Sequence, residues 1–291
     1  LEEIIMKKIT AIILALALTL GCAGIALAFE TNREISVVSR EGGSGTRGAF
    51  IELFGVEVKG DDGSKKDMTT DEAVIANKTD VMLTNIAGDE YAIGYVSIGS
   101  LNDSVKALNI DGAPATTAAI VAGDYTIMRP FVIATKSDVS ELAADFIDYI
   151  LSKEGQDIIS GSYIAVVDDA QSFAGKLPEG KIVVGGSSSV TPVMEKLVEA
   201  YQALNDAATI EIQMTDSSAG MAGAIEGSLD IGMSSRDLKD EEKAELTDVV
   251  IALDGIAVIV NTVNPLDGAT KEQVKNVFIG EVTSWSDLIA E

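Results

Sequence analysis

The chain has no histidine, and its one cysteine, Cys22, lies within the first 28 of its 291 residues. Imidazole and thiolate metal sites, Ser-His-Asp and Cys-His catalysis, and most general-base chemistry near neutral pH need side chains that are missing. Carboxylates, lysines or a cofactor would have to carry any enzymatic reaction. Disulfides are excluded from the part beyond residue 28. Positive charge is scarce: 21 Lys and Arg stand against 46 Asp and Glu, a formal charge of −25. A nucleic-acid partner is therefore disfavoured, and so many carboxylates read as the solvated surface of a soluble protein. Long-range attraction cannot gather an anion here, so any bound anion must be held by local dipoles and a few buried cations. Aromatic residues make up only 5% against 47% hydrophobic, a Val/Ile/Ala/Leu-rich balance suited to β-sheet covered by helices.

Residues 1–28 read as a leader: Lys7 and Lys8, the apolar run Ile12–Leu18, then Ala26-Leu27-Ala28 before Phe29. Leu1–Ile5 precede the start-like Met6 and are set aside. The expectation is an extracytoplasmic protein, whether secreted, periplasmic or on the cell surface. Two alternatives concern anchoring, because Thr19-Leu20-Gly21-Cys22 loosely resembles a lipoprotein cleavage site and an uncleaved leader would also hold the chain at a membrane. No other stretch is long and apolar enough to span a bilayer.

Beyond the leader, short apolar runs alternate with helix-period segments: Ile35–Val38 then Ala49–Phe54, Ile182–Val184 then Val193–Leu204, Ile210–Met214 then Met221–Ile225, Val249–Val260 then Val274–Phe278. This is βαβ punctuation. Val193, Met194, Leu197, Val198, Tyr201 and Leu204 form one predicted stripe, with Pro192 suited to the helix start. Thr270 and Gln273 give a capping-box pattern that Gly280 closes. One long helix is expected over 140–159, and the polar stretch Asp168–Gly180 reads as a flexible connector.

Three strand-to-helix turns are rich in Gly, Ser and Thr: Ser39-Arg40-Glu41-Gly42-Gly43-Ser44-Gly45-Thr46-Arg47, Gly185-Gly186-Ser187-Ser188-Ser189-Val190-Thr191-Pro192, and Asp216-Ser217-Ser218-Ala219-Gly220. Such turns aim backbone N–H groups and positive helix ends at one point, which favours a bound oxyanion. Each is also an ordinary N-cap taken alone. The chain has five arginines, Arg33, Arg40, Arg47, Arg129 and Arg236, and three of them lie in or beside these turns or the nearby Ser234-Ser235 pair. A guanidinium there can pair bidentately with a tetrahedral oxyanion. Gly43–Gly48 also satisfies G-x-G-x-x-G, so an exported dinucleotide-dependent oxidoreductase is an alternative. No clean second strand with an acidic end follows, as that fold requires.

At these residues the sequence resembles the phosphate-binding proteins of ABC-type phosphate importers, of the periplasmic-binding-protein superfamily. The resemblance also rests on Ala92–Ser97, Asp230–Arg236, Asp254–Asn261, Phe278-Ile279-Gly280 and Trp285–Leu288. It implies an α/β, two-lobed fold with two crossover hinge strands, no cofactor and no catalysis, inorganic phosphate as ligand, and an ABC permease as partner of a monomeric protein. Carried over, it implies ligand contacts from Arg40, Ser44, Gly45 N–H, Thr46, Ser189, Val190 N–H, Thr191, Ser217 and Ser235, with Arg236, Arg47 and Asp216 as further candidates. Arg236 has the alternative of pairing with a surface carboxylate such as Asp237 or Glu241. Some family members place an acid where this chain has Gly42 or Ser235, and Glu41 and Asp216 are the nearest substitutes for accepting the phosphate proton. Sulfate or another tetrahedral oxyanion is the rival ligand, and a phosphate sensor without a transport role is the rival setting. Relative to the family the Ser-Gly-Thr turn and the Gly-Ser-Ser turn occur in inverted order, which implies circular permutation; a misassembled gene is the alternative. The expected lobes are 29–123 with 260–291, and 124–259, hinged near Gly123–Thr126 and Val260–Val263. Trp285, the only tryptophan, is expected to pack rather than touch ligand.

Overall fold

The computed structural model describes residues 29–60 and 63–289, so the leader lies outside the described residues. The first part runs β1 (Ser36–Arg40), α1 (Gly45–Leu53), β2 (Glu57–Lys59), β3 (Lys65–Asp67), β4 (Val74–Ala76), α2 (Thr79–Gly88), β5 (Ala92–Ser97), β6 (Val105–Ala107), β7 (Asn109–Ile110) and α3 (Thr117–Val121). It continues with β8 (Met128–Thr135), α4 (Glu141–Leu151), α5 (Lys153–Ser160), β9 (Ile164–Ala165), β10 (Gly180–Ser187), α6 (Thr191–Leu204), β11 (Ala208–Thr215), α7 (Ser217–Glu226) and β12 (Ile231–Ser234). Last come α8 (Asp240–Lys243), β13 (Thr247–Asn261), β14 (Gly268–Ala269), α9 (Lys271–Phe278) and α10 (Ser286–Ile289).

The main sheet has the order β11-β10-β12-β8-β13-β5-β1-β4, with β6 and β9 also paired to β13. Two parallel groups, β11-β10-β12 and β5-β1-β4, flank the antiparallel strands β8 and β13. β13 joins them: it pairs with β8 from Thr247 to Gly255 and with β5 from Ile256 to Val260. Its partner changes between Gly255 and Ile256, beside the segment leading into β8, where Ile256 N–H donates to Ile127 O (2.9 Å) and Tyr125 Oη donates to Ile256 O (2.7 Å). The fold is the expected two-lobed α/β arrangement, with the strand shared by both lobes almost wholly buried from Ile251 to Asn261.

Local sequence explains most elements. Thr270 and Gln273 form the predicted capping box, and Gly280, at φ +80°, supplies the left-handed residue after α9. The α6 stripe is buried as predicted except at Leu204, which ends the helix and is 53% exposed. The single helix expected over 140–159 is two. Ser152 ends α4 by donating its hydroxyl to Tyr149 O and starts α5 by accepting from Gly155 N–H, and Gly155 lies so close to the Tyr149 and Ile150 carbonyls that a side chain is excluded. The Asp168–Gly180 stretch is irregular up to Gly180, where β10 begins, and it is tethered by hydrogen bonds. The buried Asp145 carboxylate accepts the N–H groups of Lys176 and Leu177 and the Tyr201 hydroxyl, and Phe173 N–H donates to Glu154. Trp285 is fully buried and its indole N–H donates to Tyr91 O (3.1 Å), a packing role as expected.

Candidate oxyanion-binding site

The loops that leave the carboxyl ends of the parallel strands β1, β4, β10, β11 and β12 meet between the two strand groups, the place where open α/β sheets bind ligands. Four helices begin there, α1, α2, α6 and α7. The first N–H groups of each have no acceptor within the helix, and each start carries partial positive charge.

Arg40 ends β1 and is 2% exposed. Its Nε and Nη2 donate to the two oxygens of Glu41 (2.8 and 2.7 Å), Nη2 also to Ser188 Oγ (3.0 Å), and Nη1 to Thr79 Oγ1 (3.4 Å). The strand end is fixed from behind by Tyr95, whose hydroxyl accepts the Arg40 N–H (3.1 Å) and lies 2.9 Å from Ser39 Oγ. Burial raises the Tyr95 phenol above its ordinary pKa, so it stays neutral and keeps its proton for bonding.

Around Arg40 is a hydroxyl cluster that joins residues far apart in sequence. Thr46 Oγ1 lies 2.8 Å from Ser189 Oγ, and Thr79 Oγ1 lies 3.1 Å from Ser188 Oγ and 3.3 Å from Ser189 Oγ. Ser187 Oγ donates to Ser235 Oγ (2.9 Å), while Ser217 Oγ accepts the Ser235 N–H (3.1 Å). Thr46, Thr79, Ser187, Ser188, Ser189, Ser217 and Ser235 are all buried. Each hydroxyl has one donor and two acceptor sites, so the cluster can satisfy itself when empty and turn its donors onto an oxygen-rich anion when one binds. Two glycines allow the approach. A Cβ on Gly45 would fall on Ser217 Oγ and 2.8 Å from Ser235 Oγ, and one on Gly43 would strike the Asp216 carboxylate. Gly43 O also accepts the Ser218 N–H at 3.2 Å.

The structure thus brings together Arg40, Gly45, Thr46, Ser189, Ser217 and Ser235 among the sequence candidates. Ser44 sits at the edge as N-cap of α1, accepting from Arg47 N–H (3.3 Å). Val190 N–H and Thr191 Oγ1 both donate to Ser187 O at 3.1 Å and close the turn that starts α6. Arg47 and Arg236 are held outside the cluster. Arg47 Nε donates to Asp67 (2.8 Å) and its Nη1 to Arg40 O (2.6 Å). Arg236 forks onto the Glu242 carboxylate (2.7 and 2.8 Å), one residue beyond the Glu241 considered from sequence. Burial pulls the Asp67 and Glu242 carboxyls upward, but hydrogen bonds from Thr69 and Arg47, and from Arg236 and Lys239, bring both below their ordinary values. Asp216 caps α7 by accepting from Ala219 N–H (2.9 Å) while its carboxylate lies against Gly43. A groove of about 720 Å³ opens beside the cluster, lined by Ser44, Gly48, Glu52, Lys65, Ser218 and Arg236 among others.

Sequence reasoning missed Thr79, Ser187, Ser188 and Arg129. The two serines lie in the run already singled out, and Thr79 precedes the helical pair Met82 and Ile86, so a fourth hydroxyl-bearing helix start was readable. Arg129 carries no local signal, because its partner Asp254 is 125 positions away.

The family model of the PBP superfamily domain matches residues 28–154 and 172–291. The phosphate-binding protein PstS 2 of Streptococcus agalactiae serotype V is 53% identical over 256 residues, 87% of each chain. The chain belongs to the PBP superfamily, in the family of the PstS phosphate-binding proteins. PstS 2 of Streptococcus pneumoniae serotype 4 is 44% identical over the same share of each chain. The crystal structure of a phosphate ABC transporter phosphate-binding protein from S. pneumoniae TIGR4 superposes with a TM-score of 0.70 at 44% identity, covering 88% of this chain and 99% of that one. In this PBP-superfamily chain the converging helix starts and Arg40 thus lie between the two lobes.

Proposed function

We propose that this protein captures inorganic phosphate outside the cytoplasm and presents it to the permease of an ABC-type importer, with no chemistry performed on the ligand. One observation carries the reading: four helix starts, seven buried hydroxyls and the buried Arg40 guanidinium converge on one point in a chain 53% and 44% identical to phosphate-binding proteins. Helix starts and a bidentate guanidinium suit a tetrahedral oxyanion. In this reading Arg40, Gly45 N–H, Thr46, Ser189, Ser217 and Ser235 contact the ligand, joined by Thr79, while Ser44, Val190 N–H and Thr191 shape the turns around it. Arg47 and Arg236 lie behind it as charge.

The second hinge is drawn at the β13 partner change, Gly255–Ile256, rather than at Val260–Val263, so the lobes divide at about residues 124 and 255. The motif order is read as a circular permutation. Support comes from the closeness of 33–35 to 283–285, bridged at Glu34 and Ser284, and the order is common to the PstS 2 relatives, which match over 87% of each chain. The leader, with Cys22 as a lipidation candidate, supports export.

Calorimetric titration of the phosphate-stripped protein with phosphate, then sulfate, at near-neutral pH and fixed salt tests the reading. Tight one-to-one phosphate binding with little response to sulfate is expected. Preferential sulfate binding would reassign the ligand within the oxyanion class, and folded protein that binds neither anion would overturn the proposal.

A further inference from the structure

Behind the hydroxyl cluster lies a buried ion pair, neither member of which is a site candidate. Arg129, the second residue of β8, and Asp254 of β13 are register partners, 3% and 2% exposed. Arg129 Nε and Nη2 both donate to Asp254 Oδ2 (3.2 and 3.0 Å), and Ser97 Oγ, at the end of β5, donates to Asp254 Oδ1 (2.8 Å). The remaining Arg129 nitrogen, Nη1, donates to Ser235 O (3.1 Å). The guanidinium therefore touches both the Ser235 loop of the site and the point where β13 changes from β8 to β5, one residue past Asp254.

Stability alone does not account for the pair. Desolvating two ions inside a sheet is costly, and apolar replacements of buried pairs are often neutral or stabilising. Burial lowers the basicity of Arg129, Asp254 offsets this, and the charge of Arg40 is also felt there, so the two buried guanidiniums act on a common region.

We propose that Arg129 is a positioning residue for the anion site, holding the Ser235 loop against the hinge and adding positive potential behind the cluster, which Asp254 partly cancels. This rests on the phosphate-binding reading and extends it to residues that need not touch the ligand. The two ends of the pair then act on affinity in opposite directions, whereas a merely structural pair would act in the same direction from either end.

The test is calorimetric titration with phosphate and with sulfate, alongside ligand-free thermal melting, of the wild type, Asp254→Asn, and the double variant Arg129→Met with Asp254→Leu. Asp254→Asn is expected to melt lower yet bind phosphate at least as tightly as the wild type. The double variant, with both charges removed together, is expected to fold and to bind about 10- to 100-fold more weakly, the size of a lost charged hydrogen bond. A double variant within twofold of wild-type affinity overturns the proposal, as does Asp254→Asn weakening binding as much as the double variant does. If Asp254→Asn does not fold, the double variant decides. A wild type that binds neither anion overturns the proposed function and this inference together, whereas an unaffected double variant overturns only the inference.

Discussion

Replacing Gly45 with alanine sets local propensity against long-range packing. Gly45 is the first residue of α1, and alanine in a helix interior is favoured over glycine by about 0.8–1.0 kcal/mol, so local reasoning predicts at most a modest gain. The structure predicts a loss of ligand. The new Cβ would fall on Ser217 Oγ, 2.8 Å from Ser235 Oγ and 3.0 Å from the Ser235 carbonyl carbon, where about 3.5–4.0 Å is comfortable for carbon contacts. A hydroxyl can rotate away but the Ser235 backbone cannot, so α1 must retreat from the loops of the other lobe. Overpacking of this kind costs about 1–3 kcal/mol, and it falls on the contact between α1 and the Ser217 and Ser235 loops that border the proposed site. Phosphate should bind about 5- to 150-fold more weakly at 1.4 kcal/mol per decade. Any helix-propensity gain is common to free and bound protein, so it cancels from the affinity and appears only in the ligand-free melting temperature. Gly48→Ala is the control, because its Cβ would meet only Arg236 Cδ at 3.7 Å. It should match wild-type affinity. Calorimetry and thermal melting on the two variants separate the effects, and Gly45→Ala binding within twofold of wild type would refute the close-approach argument.

Arg40→Lys keeps the charge but not the fork that reaches Glu41, Ser188 and Thr79, and phosphate affinity should fall at least about tenfold; unchanged affinity by titration would remove Arg40 from the site. Asp216→Asn should narrow the phosphate-over-sulfate ratio if this carboxylate accepts the ligand proton, and an unmoved ratio in paired titrations returns it to a capping role alone. Gln156→Leu strips the bonds this buried amide makes to Ile150 O, Ile251 O and Val166 N–H, so unfolding in urea should show a loss of about 2–4 kcal/mol with ligand contacts untouched. The depressed carboxyls of Asp67 and Glu242 add stability that is present above the unfolded carboxylate pKa, about 4, and is lost as pH falls through their lower folded values. Stability should hold from neutrality to about pH 5 and decline below about pH 4, less steeply in an Asp67→Asn, Glu242→Gln variant.

What was legible in the sequence was local. The strand-turn-helix grammar located three of the four helix starts, and the capping box at Thr270 and the stop at Gly280 are read from a handful of neighbouring residues. The division of labour among the arginines was not legible. Arg40, Arg47 and Arg236 share the same kind of turn in sequence, yet Asp67 and Glu242 draw two of them outward while Ser188 and Thr79 hold the third within. Those partners are set by how separate loops stack, which no window of sequence contains. The break at Ser152 failed for a related reason, since a cap serving two helices leaves the apolar spacing of Leu142, Phe146 and Ile150 uninterrupted. The tethering of 168–180 depends on Asp145, more than twenty positions upstream.

The contact between 33–35 and 283–285 bears on how the chain reaches this state. Residues 125–255 bring their own strands, helices and core cluster within a stretch that can condense as soon as it is made. The other lobe begins with β1 but lacks Phe278, which packs on Phe50 and Tyr95, and Trp285, which ties to Tyr91, until residues 278–285 are made. The lobe that β1 opens is therefore completed after the 125–255 lobe, by a closure spanning some 250 residues. Until then the Phe50–Tyr95 face stays uncovered, so holding the nascent chain unpaired until Phe278 is made protects this lobe above all from association through that face.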